Sequence, residues 1–153
     1  ETESAGSILS KWQDVATSAR EWRLYTDGTG APTFLLQDES AAASIGRADT
    51  TALTTATWTL LVATYDGSRA LTGINLYKDG ALVDDTNVTT GTYVAMENTS
   101  KEVELGSMTS TGPADAQLWD GQIGLVALVA RELSIDDVWA MKALVNAYFD
   151  LAL

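Results

Sequence analysis

The chain has 153 residues and a formal net charge of −12, and it contains neither cysteine nor histidine. These absences exclude disulfides, thiolate metal sites, Ser-His-Asp and Cys-His catalysis, and the usual zinc ligands. The acidic excess argues against binding to nucleic acid or to anionic membranes, and no apolar run is long enough for membrane insertion. The length predicts one domain over residues 1–153.

Short alternating segments fill the first half of the chain. They predict strands at 8–12, 20–26, 33–37 and 44–46, with a hairpin turn at 27–30. Within 20–26, Trp22 and Leu24 face one side of the strand, and Arg23 and Tyr25 face the other.

Further strands are predicted in the second half, before a change of period near the end. They lie at 58–65, 74–77, 81–83, 102–106 and 123–130, and the last of these is the most apolar. Ser134 is then a suitable cap for a helix over 135–146, with Asp136 and Asp137 in its first turn. A helix that is apolar over so much of its circumference is normally buried on more than one side.

Many short strands and one terminal helix predict an all-β fold, an antiparallel β-sandwich with a C-terminal α-helix. Three segments make this more specific: WTLLVATYDGS at 58–68, INLYKDGALV at 74–83, and the stretch 119–138 with Gly121, Ile123 and RELS. In this order and spacing they resemble the concanavalin A-like lectin/glucanase jelly rolls, in particular the laminin-G-like branch. The resemblance covers most of the chain from residue 8 onward.

The opening of the chain departs from that family. Such domains usually begin with several strands before the segment that resembles 8–12, and one of these pairs beside the last strand. Only residues 1–7 precede this segment here. We therefore expect a jelly-roll domain without its usual opening strands, which another chain or another part of the protein supplies, because an uncovered sheet edge invites aggregation.

Catalysis is not expected, so the chain is predicted not to be an enzyme. Related glycan hydrolases carry acid and nucleophile at two-residue steps along one strand. Glu102 and Glu104 have that spacing, but the fuller Glu-x-Asp-x-x-Glu arrangement is absent. A solvated strand face explains this pair more simply.

Loop carboxylates are the candidate metal ligands. The resemblance implies calcium at the rim of the sandwich, and calcium prefers six to eight oxygen ligands. Asp27, Asp38, Asp84 and Asp85 are the candidates, although no twelve-residue calcium loop is present. The alternative is that these acids serve only solubility.

Aromatic rings are the candidate ligand platforms, because sugars stack their apolar faces on them. Trp12, Tyr25, Tyr93 and Trp119 are the candidates, whereas Trp22 and Trp58 are expected in the core.

Two functions follow from these observations. The first is a non-catalytic glycan-binding or adhesion module, a lectin-like domain of an extracellular or surface protein. The second is a structural or assembly protein of a virion or filament built on the same jelly roll. The partners are accordingly a glycan or other protein subunits, in an oligomer or a larger chain.

Overall fold

The structure is a computed structural model, and it describes residues 5–14, 19–110 and 117–153. The strands are β1 (Gly6–Asp14), β2 (Ala19–Thr26), β3 (Pro32–Asp38), β4 (Ala43–Ala48), β5 (Leu61–Tyr65), β6 (Ile74–Lys78), β7 (Ala81–Leu82), β8 (Thr86–Thr90), β9 (Glu104–Leu105) and β10 (Thr109–Ser110). The helix α1 spans Ile135–Phe149, and a short 3-10 turn spans Leu71–Gly73.

The larger sheet contains the strands predicted in the first half of the chain. Its order is β10-β1-β2-β3-β4-β8, and β9 also pairs with β1. The neighbours from β1 to β8 are antiparallel, whereas β10 runs parallel to β1. The register places Trp22 opposite Leu36 and Arg23 opposite Leu35, so the two faces of β2 continue across β3.

The smaller sheet contains β5, β6 and β7, all antiparallel. The turn between β6 and β7 is the predicted Asp79-Gly80 turn, in which φ is 50° at Asp79 and 80° at Gly80. These positive angles suit a two-residue hairpin turn.

A core lies between the two sheets. Leu36 and Ile45 of the larger sheet are buried together with Ile74 of the smaller sheet, and Trp22 packs against them. The predicted all-β sandwich is therefore confirmed, and the predicted inward position of Trp22 is confirmed with it.

Two short strands do not follow from the alternation of the sequence. β8 reads Thr-Asn-Val-Thr-Thr, so four of its five residues are polar and its apolar signal is weak. β10 is two residues long and pairs with Gln13 and Asp14 of β1.

The prediction of a paired strand at 123–130 is wrong. Residues 122–129 contain no turn or bend, yet they form no ladder with any strand in the described part of the chain. The apolar composition is typical of a strand with neighbours on both edges, but the segment pairs with no described strand.

The C-terminal helix is confirmed, including its start. Ser134 Oγ accepts from the Asp137 N–H, and the Asp137 carboxylate accepts from the Ser134 N–H, which completes a capping box. The expected burial on several sides is wrong, because only Val138 and Val145 of the helix are buried.

Candidate functional site

An aromatic–arginine cluster lies on the face of the larger sheet that is opposite to the Trp22 face, where Trp12 and Leu35 are buried. The alternation of β2 places Arg23 and Tyr25 on the side opposite to Trp22. The Arg23 Cζ atom lies 4.7 Å from the centre of the Trp12 ring and 3.9 Å from the centre of the Tyr25 ring. Both distances are within the range of a cation–π interaction.

The cluster is largely buried and contains unpaired polar groups. Trp12 is 4% exposed and packs with Leu35 and Met108. Arg23 Nη1 donates to Gln117 Oε1 at 2.9 Å, and burial lowers the pKa of Arg23. Trp12 Nε1 and Arg23 Nε have no hydrogen-bond acceptor within the described ranges.

Trp119 lies beside the cluster rather than in it. The backbone N–H of Trp119 donates to the Gly106 carbonyl at 2.9 Å, and the backbone N–H of Ser7 donates to the Gln117 carbonyl at 2.8 Å, so residues 117–119 lie beside the start of β1 and the end of β9. A Cβ atom at Gly6 would lie 3.2 Å from the Trp119 ring. Trp119 therefore forms the margin of this face.

Tyr93 occupies a different place. It is buried in the core with Leu36 and Ile74, and this burial raises its pKa. The structure thus brings Trp12 and Tyr25 together and separates Tyr93 from them. The residue that joins the two rings is Arg23, which sequence reasoning did not select, although its place two residues before Tyr25 on the same strand face was a usable signal.

Asp38 is the most extensively bonded of the four predicted metal ligands. Its Oδ1 accepts from Ser40 Oγ at 3.0 Å and Ala41 N at 2.9 Å, and its Oδ2 accepts from Val94 N at 3.0 Å and Ala95 N at 3.1 Å. Hydrogen bonds from backbone N–H groups, led by that of Ala41, lower the pKa of Asp38 to about 2.

Glu97 connects the same two segments from the opposite side, because here the carboxylate lies after β8 and the donors lie after β3. Its two carboxylate oxygens accept from Glu39 N at 2.7 Å and Ser40 N at 2.9 Å. Asp38 and Glu97 together join the turn after β3 to the segment after β8. The geometry of Asp38 is explained by this structural role.

The other three candidate ligands lie apart and have their own partners. Asp27 closes its own turn by accepting from Thr29 N at 2.8 Å. Asp84 Oδ2 lies 3.6 Å from Arg47 Nε, and Asp85 Oδ2 accepts from Thr50 Oγ1 at 3.3 Å. No three acidic residues converge on a metal-sized site in the described ranges, and the calcium site stays a prediction.

Glu104, one of the two acids at catalytic spacing, is held in a local network. Its Oε1 accepts from Lys101 Nζ at 2.5 Å and from Thr109 Oγ1 at 2.6 Å. The lysine and threonine hydrogen bonds lower its pKa against the opposing effect of burial. A carboxyl held in its charged form by these partners is poorly suited to donate a proton as a general acid.

The second feature is a continuous exposed surface, which we call the apolar face. It consists of the segment 122–130 and the outer side of α1. Its exposed side chains are Leu125, Val126, Leu128, Val129, Leu144 and Tyr148. Leu128 is 62% exposed and Tyr148 is 78% exposed, so these are not partly covered core residues.

Two open cavities lie between the segment 122–130 and α1. One measures about 310 Å³ and is lined by residues that include Val129, Met141 and Leu144. The other measures about 270 Å³ and is lined by residues that include Leu125 and Tyr148, together with Leu144 again. The linings of both are mainly apolar, as in a site that accepts apolar side chains.

The first half of α1 fixes this surface to the smaller sheet. Val138 is fully buried against Val62 and Tyr77. Trp139 Nε1 donates to the Gly80 carbonyl at 3.2 Å, and Lys142 Nζ donates to the Asp79 carbonyl at 2.9 Å. The exposed side of the helix is therefore held on a rigid hairpin.

Trp58 also lies at this surface. The prediction that it is in the core is wrong, because its ring is exposed. A Cβ atom at Gly124 would lie 3.3 Å from the Trp58 ring and 3.7 Å from the Phe149 ring. The missing side chain at Gly124 therefore allows both rings to lie close to the segment. Trp58 thus lies against the segment 122–130 at Gly124 and stays partly exposed.

Comparisons with known proteins identify the family. Residues 2–139 match the family model Laminin_G_3, which is described as the concanavalin A-like lectin/glucanases superfamily. The chain belongs to this family, and the resemblance read from its motifs is confirmed. None of the curated proteins matches it.

One solved structure is similar in part. It is the 2.1 Å crystal structure of an S-layer domain-containing protein (residues 221–444) from Clostridium thermocellum ATCC 27405. The identity is 19% and the TM-score is 0.45, and the match covers 90% of this chain and 63% of that chain. The chain thus spans less than two thirds of that fragment.

Across the described ranges, no helix is both long enough and apolar enough to cross a bilayer.

Proposed function

We propose that this chain is a non-catalytic adhesion or assembly module of an extracellular surface protein, and that it binds a polypeptide partner through the apolar face. The observation that carries the proposal is the joint exposure of the segment 122–130 and α1. Soluble monomers rarely expose a contiguous apolar patch of this kind unless it is an interaction site.

The composition of the face supports a protein partner. Aliphatic side chains of the segment are combined with Leu144 and Tyr148 of the helix, and aromatic residues are enriched at protein interfaces. The segment 122–130 contains no charged residue, whereas charged residues lie at its margins. An apolar centre with a polar rim is the usual anatomy of such an interface.

The test is binding of the chain to an array of apolar peptides and, in parallel, to a glycan array. Leu128→Lys places a charge in the apolar face and should abolish peptide binding. Val94→Lys is the matched control, since Val94 is 51% exposed and its backbone N–H donates to Asp38 of the larger sheet rather than to the segment or α1. Equal peptide binding by the wild-type chain and Leu128→Lys would contradict the proposal.

Glycan binding is the second candidate function, and the aromatic–arginine cluster favours it. Tyr25 is the partly buried ring of the cluster and carries the Arg23 guanidinium against it, whereas Trp12 is 4% exposed and supports Arg23 from behind. Ring faces and hydrogen-bond donors are the two components of a sugar site.

Its test uses the same glycan array with and without a chelator. A sugar site at the cluster predicts a signal that Tyr25→Ala removes and Tyr148→Ala leaves unchanged. A chelator-sensitive signal would additionally support calcium. No signal under either condition removes this candidate.

A further inference from the structure

We propose that Asn98 is an acceptor site for an N-linked glycan in the folded domain, and that this glycan lies on the side of the larger sheet, apart from the apolar face. Such a modification site goes beyond the proposed function and shares with it only the extracellular placement of the chain.

The chain contains two copies of the acceptor pattern Asn-x-Ser/Thr. They are Asn87-Val88-Thr89 and Asn98-Thr99-Ser100, whereas Asn75 and Asn146 lie outside such a pattern. A pattern this short only selects candidates, because the modified residue also needs a surface position with room for a bulky polar group. The surroundings of the two asparagines therefore decide between them.

Asn98 has accessible surroundings. It lies in the segment 91–103 between β8 and β9, where no residue belongs to a strand. Asn98 and Ser100, the two ends of the pattern, are both exposed. The side-chain amide of Asn98 makes no hydrogen bond with any residue that the structure describes. The acceptor amide and the hydroxyl of the pattern are therefore both open to a transferase.

The middle residue of the pattern is anchored to the larger sheet. Thr99 N and Thr99 Oγ1 each donate to Glu21 Oε1 at 2.6 Å, and Lys11 Nζ donates to the Thr99 carbonyl at 3.2 Å. On the other side of Asn98, the Glu97 carboxylate is bound to the turn after β3. These contacts hold the backbone on both sides of Asn98 and leave its side chain outside.

Asn87 has the same pattern in different surroundings. It lies in β8 opposite Arg47 of β4, and its Oδ1 accepts from Arg47 Nη1 at 2.5 Å. An amide held by an arginine is less free to turn toward a donor substrate, and β8 cannot bend without losing its pairing with β4. We therefore expect no modification of Asn87 in the folded domain.

The reaction is a group transfer whose co-substrate is a lipid-diphosphate-linked oligosaccharide. A bond forms between Asn98 Nδ2 and the anomeric carbon of the first sugar, and the bond between that carbon and the diphosphate oxygen breaks. The lipid diphosphate leaves with the electron pair, and Nδ2 releases one proton to a base of the transferase. The amide is kept, and it now carries a bulky polar group.

The anchors of the pattern also separate the glycan from the apolar face. Lys11 and Glu21 belong to β1 and β2, which are strands of the larger sheet. The apolar face is fixed to the smaller sheet, where α1 donates hydrogen bonds to Asp79 and Gly80. A glycan at Asn98 should therefore leave the apolar face open to its partner.

The experiment gives the folded chain to an oligosaccharyltransferase that requires only Asn-x-Ser/Thr, together with a lipid-diphosphate-linked oligosaccharide. The intact mass should increase by a single oligosaccharide, and peptide mapping should place it on Asn98. Asn98→Gln and Ser100→Ala should each abolish the addition, because they remove the acceptor amide and the hydroxyl of the pattern. Asn87→Gln is the matched control and should be modified like the wild type.

Three outcomes would overturn the inference. They are no addition to the wild-type chain, an addition that persists in Ser100→Ala, and an addition at Asn87 in place of Asn98.

The peptide array separates this inference from the proposed function. The glycosylated chain should bind apolar peptides as strongly as the unmodified chain, and weaker binding would contradict the separation of the glycan from the apolar face. If the unmodified chain binds no apolar peptide while Asn98 is modified, the proposed function fails and the acceptor site stands.

Discussion

The Cζ atom of Arg23 lies 3.9 Å from the centre of the Tyr25 ring, on the same face of the same strand. Because Trp12 covers the guanidinium from another side, this contact is shielded from water. Tyr25→Leu keeps apolar bulk but removes the π face, so we expect a loss of about 1 kcal/mol in unfolding free energy, measured by urea denaturation. Tyr148→Leu, on the exposed side of α1, should change stability by less than about 0.5 kcal/mol.

Asp38 should make the stability of the fold depend on pH in the acid range. Its folded-state pKa is about 2, below its ordinary value of 3.8, so its contribution is present above pH 3.8 and is lost as pH falls toward 2. The Tm of the wild type should therefore exceed that of Asp38→Asn near neutrality, and the difference should narrow over this interval. Asp120→Asn is the control, and a Tm difference for Asp38→Asn that is constant from pH 5 to about pH 2 would contradict the linkage.

Gly46 is required by the close pairing of β3 and β4. A Cβ atom at this position would lie 2.5 Å from the Phe34 carbonyl oxygen, which is backbone and has little freedom to move. Gly46→Ala should destabilise the fold by about 1–3 kcal/mol in chemical denaturation. Gly28→Ala provides the comparison, since no atom lies within 4 Å of its Cβ position, and it should be nearly neutral.

The two sides of α1 should respond differently to truncation. Val138 is fully buried against Val62 and Tyr77, so Val138→Ala should cost about 1–3 kcal/mol. Leu144 is 65% exposed, and Leu144→Ala should leave the unfolding free energy within about 0.5 kcal/mol of the wild type. An equally large loss at both positions would mean that the outer side of the helix is covered within the monomer.

The strands with strong alternation could be predicted from the sequence because burial on one face leaves a period of two. Residues 20–26 show this, since Trp22 lies in the core and Tyr25 on the opposite face, as expected. β8 could not be predicted in this way, because its threonines and asparagine are exposed and its position depends on pairing with β4. The prediction of a strand at 123–130 was wrong for the opposite reason. The composition of these residues is that of a strand, but strand pairing also requires a partner.

The candidate site was less accessible to sequence reasoning. Trp12 and Tyr25 were identifiable as aromatic residues, but their proximity arises from the register of β1 against β2, including an irregularity between Lys11 and Trp12. Asp38 was recognisable as a loop acid, whereas its partners Val94 and Ala95 are more than fifty residues away. Contacts at that separation are set by topology, which local patterns do not encode.

The carboxylate connections of Asp38 and Glu97 determine which environments the fold tolerates. In this cysteine-free chain, they hold distant segments together in the way that a covalent cross-link often does in small secreted domains. Reducing agents cannot break such a connection, whereas protonation can. We therefore expect the domain to keep this part of its structure in both oxidising and reducing compartments, and to lose it first in strong acid.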